Sequence, residues 1–200
     1  MIHILCVNIS NATDEDYRKL YRLANRERQE RADRYLRRED ALRCVTAHAL
    51  LRYATGCDEL SPARTADGKP YLPQMPDFYF NLTHSGDFVA IAYGDSPVGI
   101  DMEQILPDKA RQGIAQRFFA PAEQQAATTP ADFFRIWSMK ESYLKYLGTG
   151  LSGSMKSIDV LSPELSSAFL TAELQGHALA VFSPDKAKTV EMLPLLNLVY

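Results

Sequence analysis

The sequence predicts an α+β fold built from two halves of similar size. Helical periodicity comes first and alternating strands follow, the same order then repeats, and turns rich in proline and glycine separate the blocks. The halves are expected to meet near residues 97–103, which gives a first half at 1–98 and a second half at 99–200. Each half is predicted to hold a small, mostly antiparallel sheet packed against a long helix.

Helical periodicity dominates the first half, with strands on either side of it. Thr13 is a candidate N-terminal cap and Gly56 a natural stop, so the stretch between them forms one bent helix or two. Alternating apolar residues around a polar turn favour a hairpin further on. The predicted elements are a strand at 1–8, helix at 14–53, and hairpin strands at 78–82 and 88–93.

Similar patterns follow in the second half. Pro121 and Pro130 interrupt its helical part, and short β-like stretches follow Gly153. The predicted elements are a strand at 98–103, helices at 108–119 and 131–148, and strands at 158–161, 169–174, 178–182 and 190–193.

Composition excludes several classes of protein. Hydrophobic residues make up 46% and charged residues 24% of the chain, as in ordinary globular proteins. No run reaches the roughly 18 apolar residues that a membrane helix needs, and the first residues lack the pattern of a signal peptide. Cys6, Cys44 and Cys57 form no metal-ligand or CxxC pattern. A cytoplasmic protein without a membrane partner is therefore expected.

A basic segment stands out against the net charge of −3. Ten basic and five acidic residues lie between Arg18 and Arg43. This is typical of a solvated helix with i,i+4 ion pairs, but arginine forks also suit a phosphate site. The isoelectric point near 5.8 and the lack of a basic stripe with interleaved aromatic residues argue against a nucleic-acid partner.

Two acidic residues lie close together in Gly99-Ile100-Asp101-Met102-Glu103. Residues i and i+2 of a strand point to the same side, so Asp101 and Glu103 share one face. An exposed strand end with two solvated acids is the ordinary interpretation. Alternatively, the pair binds Mg²⁺, which prefers carboxylate oxygens.

Two further groups of residues could carry chemistry. Glu141 and Lys145 lie one turn apart on an apolar helix, as an ordinary ion pair or as a metal ligand beside a phosphate-binding lysine. Thr83, His84 and Ser85 follow one another at a predicted turn, where they are exposed polar residues or a phosphate cradle.

Taken together, these motifs resemble the Sfp-type 4′-phosphopantetheinyl transferase family. The resemblance extends from about Arg28 to Leu151. It departs from the family pattern at Thr83, where a serine is usual, and at Arg28 and Arg31, where lysines are common. The matching motifs, in order, are Gly68-Lys69-Pro70, Asn81-Leu82-Thr83-His84-Ser85, Gly99-Ile100-Asp101-Met102-Glu103, Arg117-Phe118-Phe119 with Glu123, and Trp137-Ser138-Met139-Lys140-Glu141 with Lys145.

The resemblance implies a reaction, a fold and a set of site residues. The family transfers phosphopantetheine from coenzyme A to a serine of an acyl or peptidyl carrier protein and releases 3′,5′-ADP. Its fold is a monomeric pseudo-dimer with coenzyme A in the cleft between the halves. Lys145 corresponds to a lysine that assists the leaving group, and Glu103 or Glu123 takes the serine proton. The implied Mg²⁺ ligands are Asp101, Glu103 and Glu141, and the implied coenzyme A contacts are Arg28, Arg31, Arg43, Lys69, Pro70, Thr83, His84, Lys140 and Lys145.

Two rival functions remain open on the sequence. One is a metal-dependent pyrophosphatase that cleaves coenzyme A with water. The other is a coenzyme A sensor or carrier-protein chaperone whose catalytic pattern has decayed, although Asp101, Glu103, Glu141 and Lys145 are all present.

Overall fold

A computed structural model describes residues 1–107, 111–150, 155–184 and 188–198. The helices are α1 (Asp14–Leu23), α2 (Arg26–Ala32), α3 (Arg38–Thr55), α4 (Arg111–Phe118), α5 (Pro121–Ala126), α6 (Pro130–Leu147) and α7 (Pro163–Ser166). The strands are β1 (Ile2–Asn8), β2 (Ala63–Arg64), β3 (Pro70–Tyr71), β4 (Tyr79–Ser85), β5 (Phe88–Gly94), β6 (Gly99–Gln104), β7 (Phe169–Leu174), β8 (His177–Phe182) and β9 (Lys188–Met192). Short 3₁₀ helices lie at Met155–Ser157 and Leu195–Leu198.

The first sheet has the strand order β4-β5-β1-β9. β5 pairs antiparallel with both β4 and β1, whereas β9 pairs parallel to β1. Helix α3 covers one face of this sheet, and its residues from 41 to 51 are almost all buried in the resulting core. The helix ends at Gly56, which takes the left-handed conformation (φ 64°) that glycine adopts without a Cβ clash.

The second sheet has the order β6-β8-β7 and is antiparallel throughout. Helix α6 packs on β6 and β8. Its first turn is fixed by a capping box, in which Thr129 accepts from the Asp132 amide and the Asp132 side chain accepts from the Thr129 amide. Pro130 at the first helical position needs no hydrogen-bond partner for its nitrogen. The helix ends at Gly148 (φ 78°).

The two sheets share a buried apolar layer. Ile2, Ile4 and Cys6 of β1 pack there with residues of β5, and from the second sheet come Ile100 and Met102 of β6 with residues of β8. This layer packs the two halves against each other. The predicted α+β class with two halves is thereby confirmed.

Several elements differ from the predictions. Residues 14–53 form parts of three helices rather than one or two. The strand predicted at 158–161 is wrong, since a turn follows the 3₁₀ helix there. The start of the helix predicted at 108–119 lies outside the described residues. The last strand, β9, belongs to the first sheet because it pairs with β1. The division at 98 and 99 stays a prediction.

In the described part of the chain, none of the helices combines the length and the apolar character that crossing a membrane requires.

Candidate functional site

A cleft of about 390 Å³ opens between the two halves. Helix α2 and strands β2, β3 and β4 contribute its walls from the first half, and β6 and α6 contribute from the second half. Most of the residues predicted for the site line this cleft: Arg28, Arg31, Pro70, Thr83, His84, Asp101, Glu103, Glu141 and Lys145.

Strand β6 brings Asp101 and Glu103 to the cleft on one face, as period-two alternation requires. Asp101 is 4% exposed. Its Oδ1 accepts hydrogen bonds from Lys145 Nζ at 2.6 Å and from the Thr83 hydroxyl at 3.3 Å. Its Oδ2 is buried without a hydrogen-bond partner among the described residues. The hydroxyl of Ser138 on α6 is a polar neighbour that lowers the pKa of this carboxyl, but it makes no hydrogen bond of good geometry to Oδ2.

Helix α6 supplies Glu141 and Lys145 from successive turns. The lysine pairs with Asp101 of β6 at 2.6 Å rather than with Glu141, and it also donates to the Ile100 carbonyl at 3.2 Å. This contact depends on the close approach of α6 to β6. A Cβ at Gly99 would lie 1.9 Å from the Ser142 carbonyl oxygen. Only glycine allows α6 to bring its charged residues this close.

Burial raises the pKa of all three carboxylates, and the charge of Asp101 adds to the shift at Glu103 and Glu141. Burial raises the pKa of Asp101, although Lys145 opposes the shift. Burial and then the charge of Asp101 raise the pKa of Glu103. The same two causes raise the pKa of Glu141 to about 7. Three acidic groups thus share the positive charge of Lys145, and a further cation would relieve their repulsion.

The chemistry of these donors can be tested against the predicted Mg²⁺. No group of three or more His, Cys, Asp or Glu side chains within the described ranges is arranged to hold a metal ion by itself. Mg²⁺, however, usually binds one or two protein carboxylates and completes its shell with water and phosphate oxygens. The unpartnered Oδ2 of Asp101 and the neighbouring carboxylates fit an ion shared with phosphate, not one enclosed by protein.

Polar side chains on β4 join the two sheets beside the acidic residues. Asn81 accepts from the Ile100 amide at 3.0 Å, Thr83 from the Met102 amide at 3.2 Å, and Ser85 from the Gln104 amide at 2.9 Å. The Ser85 hydroxyl also donates to Glu103 Oε2 at 3.1 Å. We call these three side chains the polar ladder. The Thr83 hydroxyl, predicted to cradle phosphate, is instead engaged between β4 and β6.

Arginines line another part of the cleft. Arg28 and Arg31 are three residues apart on α2 and so face the same side, and Arg64 joins them from β2. Arg28 meets the Cys44 sulfur at 3.9 Å, and Arg64 donates to the Gly68 carbonyl at 2.8 Å. In these contacts neither guanidinium meets a carboxylate, so both keep positive charge for an anionic ligand.

A buried histidine supports the start of α2. The side chain of Asn25 caps the helix by accepting from the Arg28 amide at 2.9 Å. The amide of Asn25 in turn donates to Nε2 of His48 at 3.4 Å. Burial, with the nearby charges of Arg28 and Arg52, lowers the pKa of His48 to about 4. His48 is therefore neutral and can accept this bond.

Arg43 does not line the cleft itself but lies next to His84, which does. Its guanidinium donates to the Gly86 carbonyl and pairs with Asp40 at 2.6 Å. Partial desolvation, followed by the charges of Arg43 and Lys145, lowers the pKa of His84 in the cleft wall. Arg43 thus lies beside His84, outside the residues that line the cleft.

Lys69 points its charge at main-chain oxygens rather than into the cleft. Its ammonium donates to the carbonyls of Tyr146 at 2.9 Å and Val98 at 3.4 Å. A cation at the carboxyl end of α6 is favourable because the helix dipole is negative there. The following residue, Pro70, does line the cleft.

Glu123 and Lys140 do not reach the cleft. Both side chains are at most 1% exposed, and their charged atoms lie 2.6 Å apart. Glu123 also accepts from the amides of Ala120 at 2.7 Å and Val160 at 2.8 Å, and Lys140 donates to the Ile158 carbonyl. These bonds connect α5, α6 and the segment before α7. The position of the pair differs from the predicted roles as base and coenzyme A contact.

The fold and the site together define a class of protein, in which two α+β halves enclose a cleft that holds arginines and clustered carboxylates. Comparison with family models identifies this class. The model described as 4′-phosphopantetheinyl transferase superfamily matches residues 97–189, and the model described as 4′-phosphopantetheinyl transferase, N-terminal, matches residues 11–95. The chain belongs to the 4′-phosphopantetheinyl transferase superfamily. The predicted family and enzyme class are confirmed.

The chain is also similar to individual members of this family. The chain is 35% identical over 191 residues to 4′-phosphopantetheinyl transferase psf-1 of Bacillus pumilus, covering 87% of this chain and 80% of the relative. It is 31% identical to 4′-phosphopantetheinyl transferase Sfp of Bacillus subtilis strain 168, covering 74% and 70%. It is 30% identical to 4′-phosphopantetheinyl transferase ffp of Bacillus subtilis, covering 91% and 83%.

The sequence did not reveal Arg64 as a cleft residue, nor the structural roles of Gly99 and the polar ladder. Arg64 lines the cleft from a two-residue strand that no periodicity reveals. The ladder could have been found, because Asn81, Thr83 and Ser85 alternate along a strand and so present one polar face. The need for a glycine at position 99 can be recognised only from the close approach of α6 to β6.

Proposed function

We propose that the protein transfers 4′-phosphopantetheine from coenzyme A to a serine hydroxyl of an apo acyl or peptidyl carrier protein, depends on Mg²⁺ and releases 3′,5′-ADP. The observation that carries this proposal is that one cleft combines unneutralised arginines with three carboxylates and Lys145. Coenzyme A presents phosphates to the arginines and a pyrophosphate to the carboxylate cluster. The names of the relatives support the same reaction.

The donor is held mainly by the first half in this proposal. Arg28 and Arg31 bind phosphate directly, and His84 contributes from the cleft wall, with Arg43 keeping this region positive. Pro70 contacts the nucleotide, and Lys69 acts through the position of its loop. Thr83 acts through Asp101 and β6.

Mg²⁺ is assigned to Asp101, Glu103 and Glu141, where it would supply positive charge to the pyrophosphate. Lys145 lies against Asp101 and inside the cleft, so its ammonium can offset charge that develops on the departing 3′,5′-ADP oxygen. The serine oxygen forms its bond to the phosphorus next to pantetheine as the bond to the 3′,5′-ADP oxygen breaks.

Glu103 is the proposed base for the serine proton. Of the two candidates, it lines the cleft, whereas Glu123 is fully buried and accepts three hydrogen bonds. The Ser85 hydroxyl holds one oxygen of Glu103, so the other oxygen can meet the serine or an intervening water.

We further propose that the protein is monomeric and acts in the cytoplasm. The three cysteines, Cys6, Cys44 and Cys57, are free thiols, which suits a reducing compartment. Size-exclusion chromatography at assay concentrations tests the monomer.

One assay separates this function from its rivals. The protein is incubated with coenzyme A, Mg²⁺ and an apo acyl carrier protein, and the carrier is weighed by mass spectrometry. A gain of one phosphopantetheine is expected. Loss of coenzyme A without carrier modification would show a pyrophosphatase instead, and no reaction would favour a coenzyme A sensor.

Variants assign the roles. Asp101→Asn should lower turnover by at least about 100-fold, because it removes a carboxylate ligand of the proposed Mg²⁺ and the anionic partner of Lys145. Asp77→Asn is the control, since Asp77 is exposed and lies outside the cleft lining. Turnover near wild type in Asp101→Asn would overturn the assignment.

Lys145→Ala should lower kcat more than coenzyme A affinity, and the reverse result would reassign Lys145 to binding.

A further inference from the structure

The loop between α2 and α3 carries an exposed apolar tip. Every residue from Asp33 to Glu39 is exposed. Leu36 is 104% exposed, and the Tyr35 ring beside it is 36% exposed. Exposed single leucines are common on proteins, but here two adjacent apolar side chains form one projection. We call residues 34–37 the docking tip.

The docking tip lies at the mouth of the cleft. The Arg34 amide donates at 3.2 Å to the carbonyl of Arg31, which lines the cleft, and the Tyr35 side chain raises the pKa of Arg31. On the other side of the tip, Asp40 pairs with Arg43 at 2.6 Å, and Arg43 donates to the carbonyl of Gly86, two residues after the cleft residue His84. A macromolecule that presents a group to the cleft from this side would meet Leu36.

Charge surrounds the apolar projection. Arg34 and Arg37 flank Tyr35 and Leu36, and both are exposed. The next arginine, Arg38, pairs with Asp14 at 2.6 Å and lies over the Tyr17 ring, which fixes the start of α3. The docking tip is thus an apolar centre with two arginines at its rim, on a fixed base.

We infer that the docking tip is a contact surface for the acidic apo carrier protein, with Leu36 buried against an apolar patch of the carrier and Arg34 and Arg37 facing its carboxylates. This inference rests on the proposed function. The apolar centre does not suit the phosphates of coenzyme A. A second copy of the chain would bring arginines against arginines, which repel.

The test is Leu36→Asp, with Leu196→Asp as the matched control because Leu196 is another leucine that is 57% exposed. Leu36→Asp should raise KM for an apo acyl carrier protein roughly 10-fold, because a leucine is no longer buried at the interface and an acid faces an acidic partner. The kcat and the KM for coenzyme A should stay at wild-type values. Fluorescence anisotropy of the labelled apo carrier should show the same loss of affinity without turnover.

Each other outcome overturns the inference. Equal carrier affinity in Leu36→Asp and Leu196→Asp would remove the docking tip from the interface while leaving the proposed function intact. A raised KM for coenzyme A alone would place the tip at the donor site. A wild-type dimer that Leu36→Asp separates would make the tip a contact between copies. Wild-type protein that neither binds nor modifies the carrier would refute the proposed function as well.

Discussion

The buried pair of Glu123 and Lys140 gives a sharp prediction about stability. Lys140→Met removes the ammonium but keeps the length of the side chain, so the Glu123 carboxylate stays buried without its cation. Both side chains are at most 1% exposed, so solvent does not screen the loss. Removing one partner of a buried pair costs about 3–5 kcal/mol. With an m-value of about 2 kcal/mol/M, the urea midpoint should fall by roughly 2 M.

Two further variants complete this test. Glu123→Gln combined with Lys140→Met should recover about half of the loss, since glutamine carries no charge but offers one carbonyl oxygen to the two amides that Glu123 satisfies. Lys156→Met is the control. Lys156 is exposed and donates to the Gln116 carbonyl at 2.8 Å, so its loss should change the unfolding free energy by less than about 0.5 kcal/mol.

The assay combines urea unfolding with carrier modification per folded enzyme. Lys140→Met should unfold at lower urea yet keep turnover within a few-fold of wild type at low temperature. A midpoint unchanged within error, together with a collapse of turnover, would refute the structural role and return the pair to the chemistry.

Three other predictions follow from the fold. Gly99→Ala should destabilise the protein by about 1–3 kcal/mol and lower turnover, because a Cβ would meet α6 backbone at 1.9 Å; urea unfolding measures this against Gly113→Ala, where a Cβ meets nothing within 4 Å. Thr83→Val should cost about 1–3 kcal/mol, because the buried Met102 amide loses its acceptor, whereas Thr83→Ser keeps it. As pH falls from 6.5 to 5, the contribution of His48 should lower the unfolding free energy by about 2 kcal/mol. The imidazole of His48 binds a proton in the unfolded state over this range, whereas the buried ring, with a pKa of about 4, stays neutral.

Each of these has a contradicting result. Equal stability of Gly99→Ala and Gly113→Ala would show that α6 can move away without cost. Equal stability of the valine and serine variants would show that water replaces the Thr83 hydroxyl. For His48, the control is His48→Gln, which cannot titrate; an identical pH dependence of its unfolding free energy would remove His48 as the cause.

Local periodicity accounts for much of the fold and part of the site. Asp101 and Glu103 share a face because strands repeat every two residues, and Glu141 and Lys145 lie together because helices repeat every 3.6. The partner of Lys145 could not be predicted this way. It is Asp101 rather than Glu141, which depends on how closely α6 packs on β6.

The features that the sequence did not predict depend on contacts between residues far apart in the chain. Glu123 and Lys140 are 17 residues apart, and a glutamate four residues after the Arg117-Phe118-Phe119 motif gives no sign of full burial. The strand that pairs parallel with β1 is separated from it by most of the chain, and no local pattern encodes such a partner. Both depend on tertiary packing, which composition and periodicity do not record.

The pairing of β1 with β9 has a consequence for folding during synthesis. β1 contains residues 2–8, and its partner at 188–192 is synthesised about 180 residues later. Until then, one edge of β1 offers unpaired amides and carbonyls to any passing strand. Contacts of such long sequence separation also form slowly. The first half therefore completes its sheet only after the second half has been translated, and a nascent chain stalled before residue 188 carries an aggregation-prone edge.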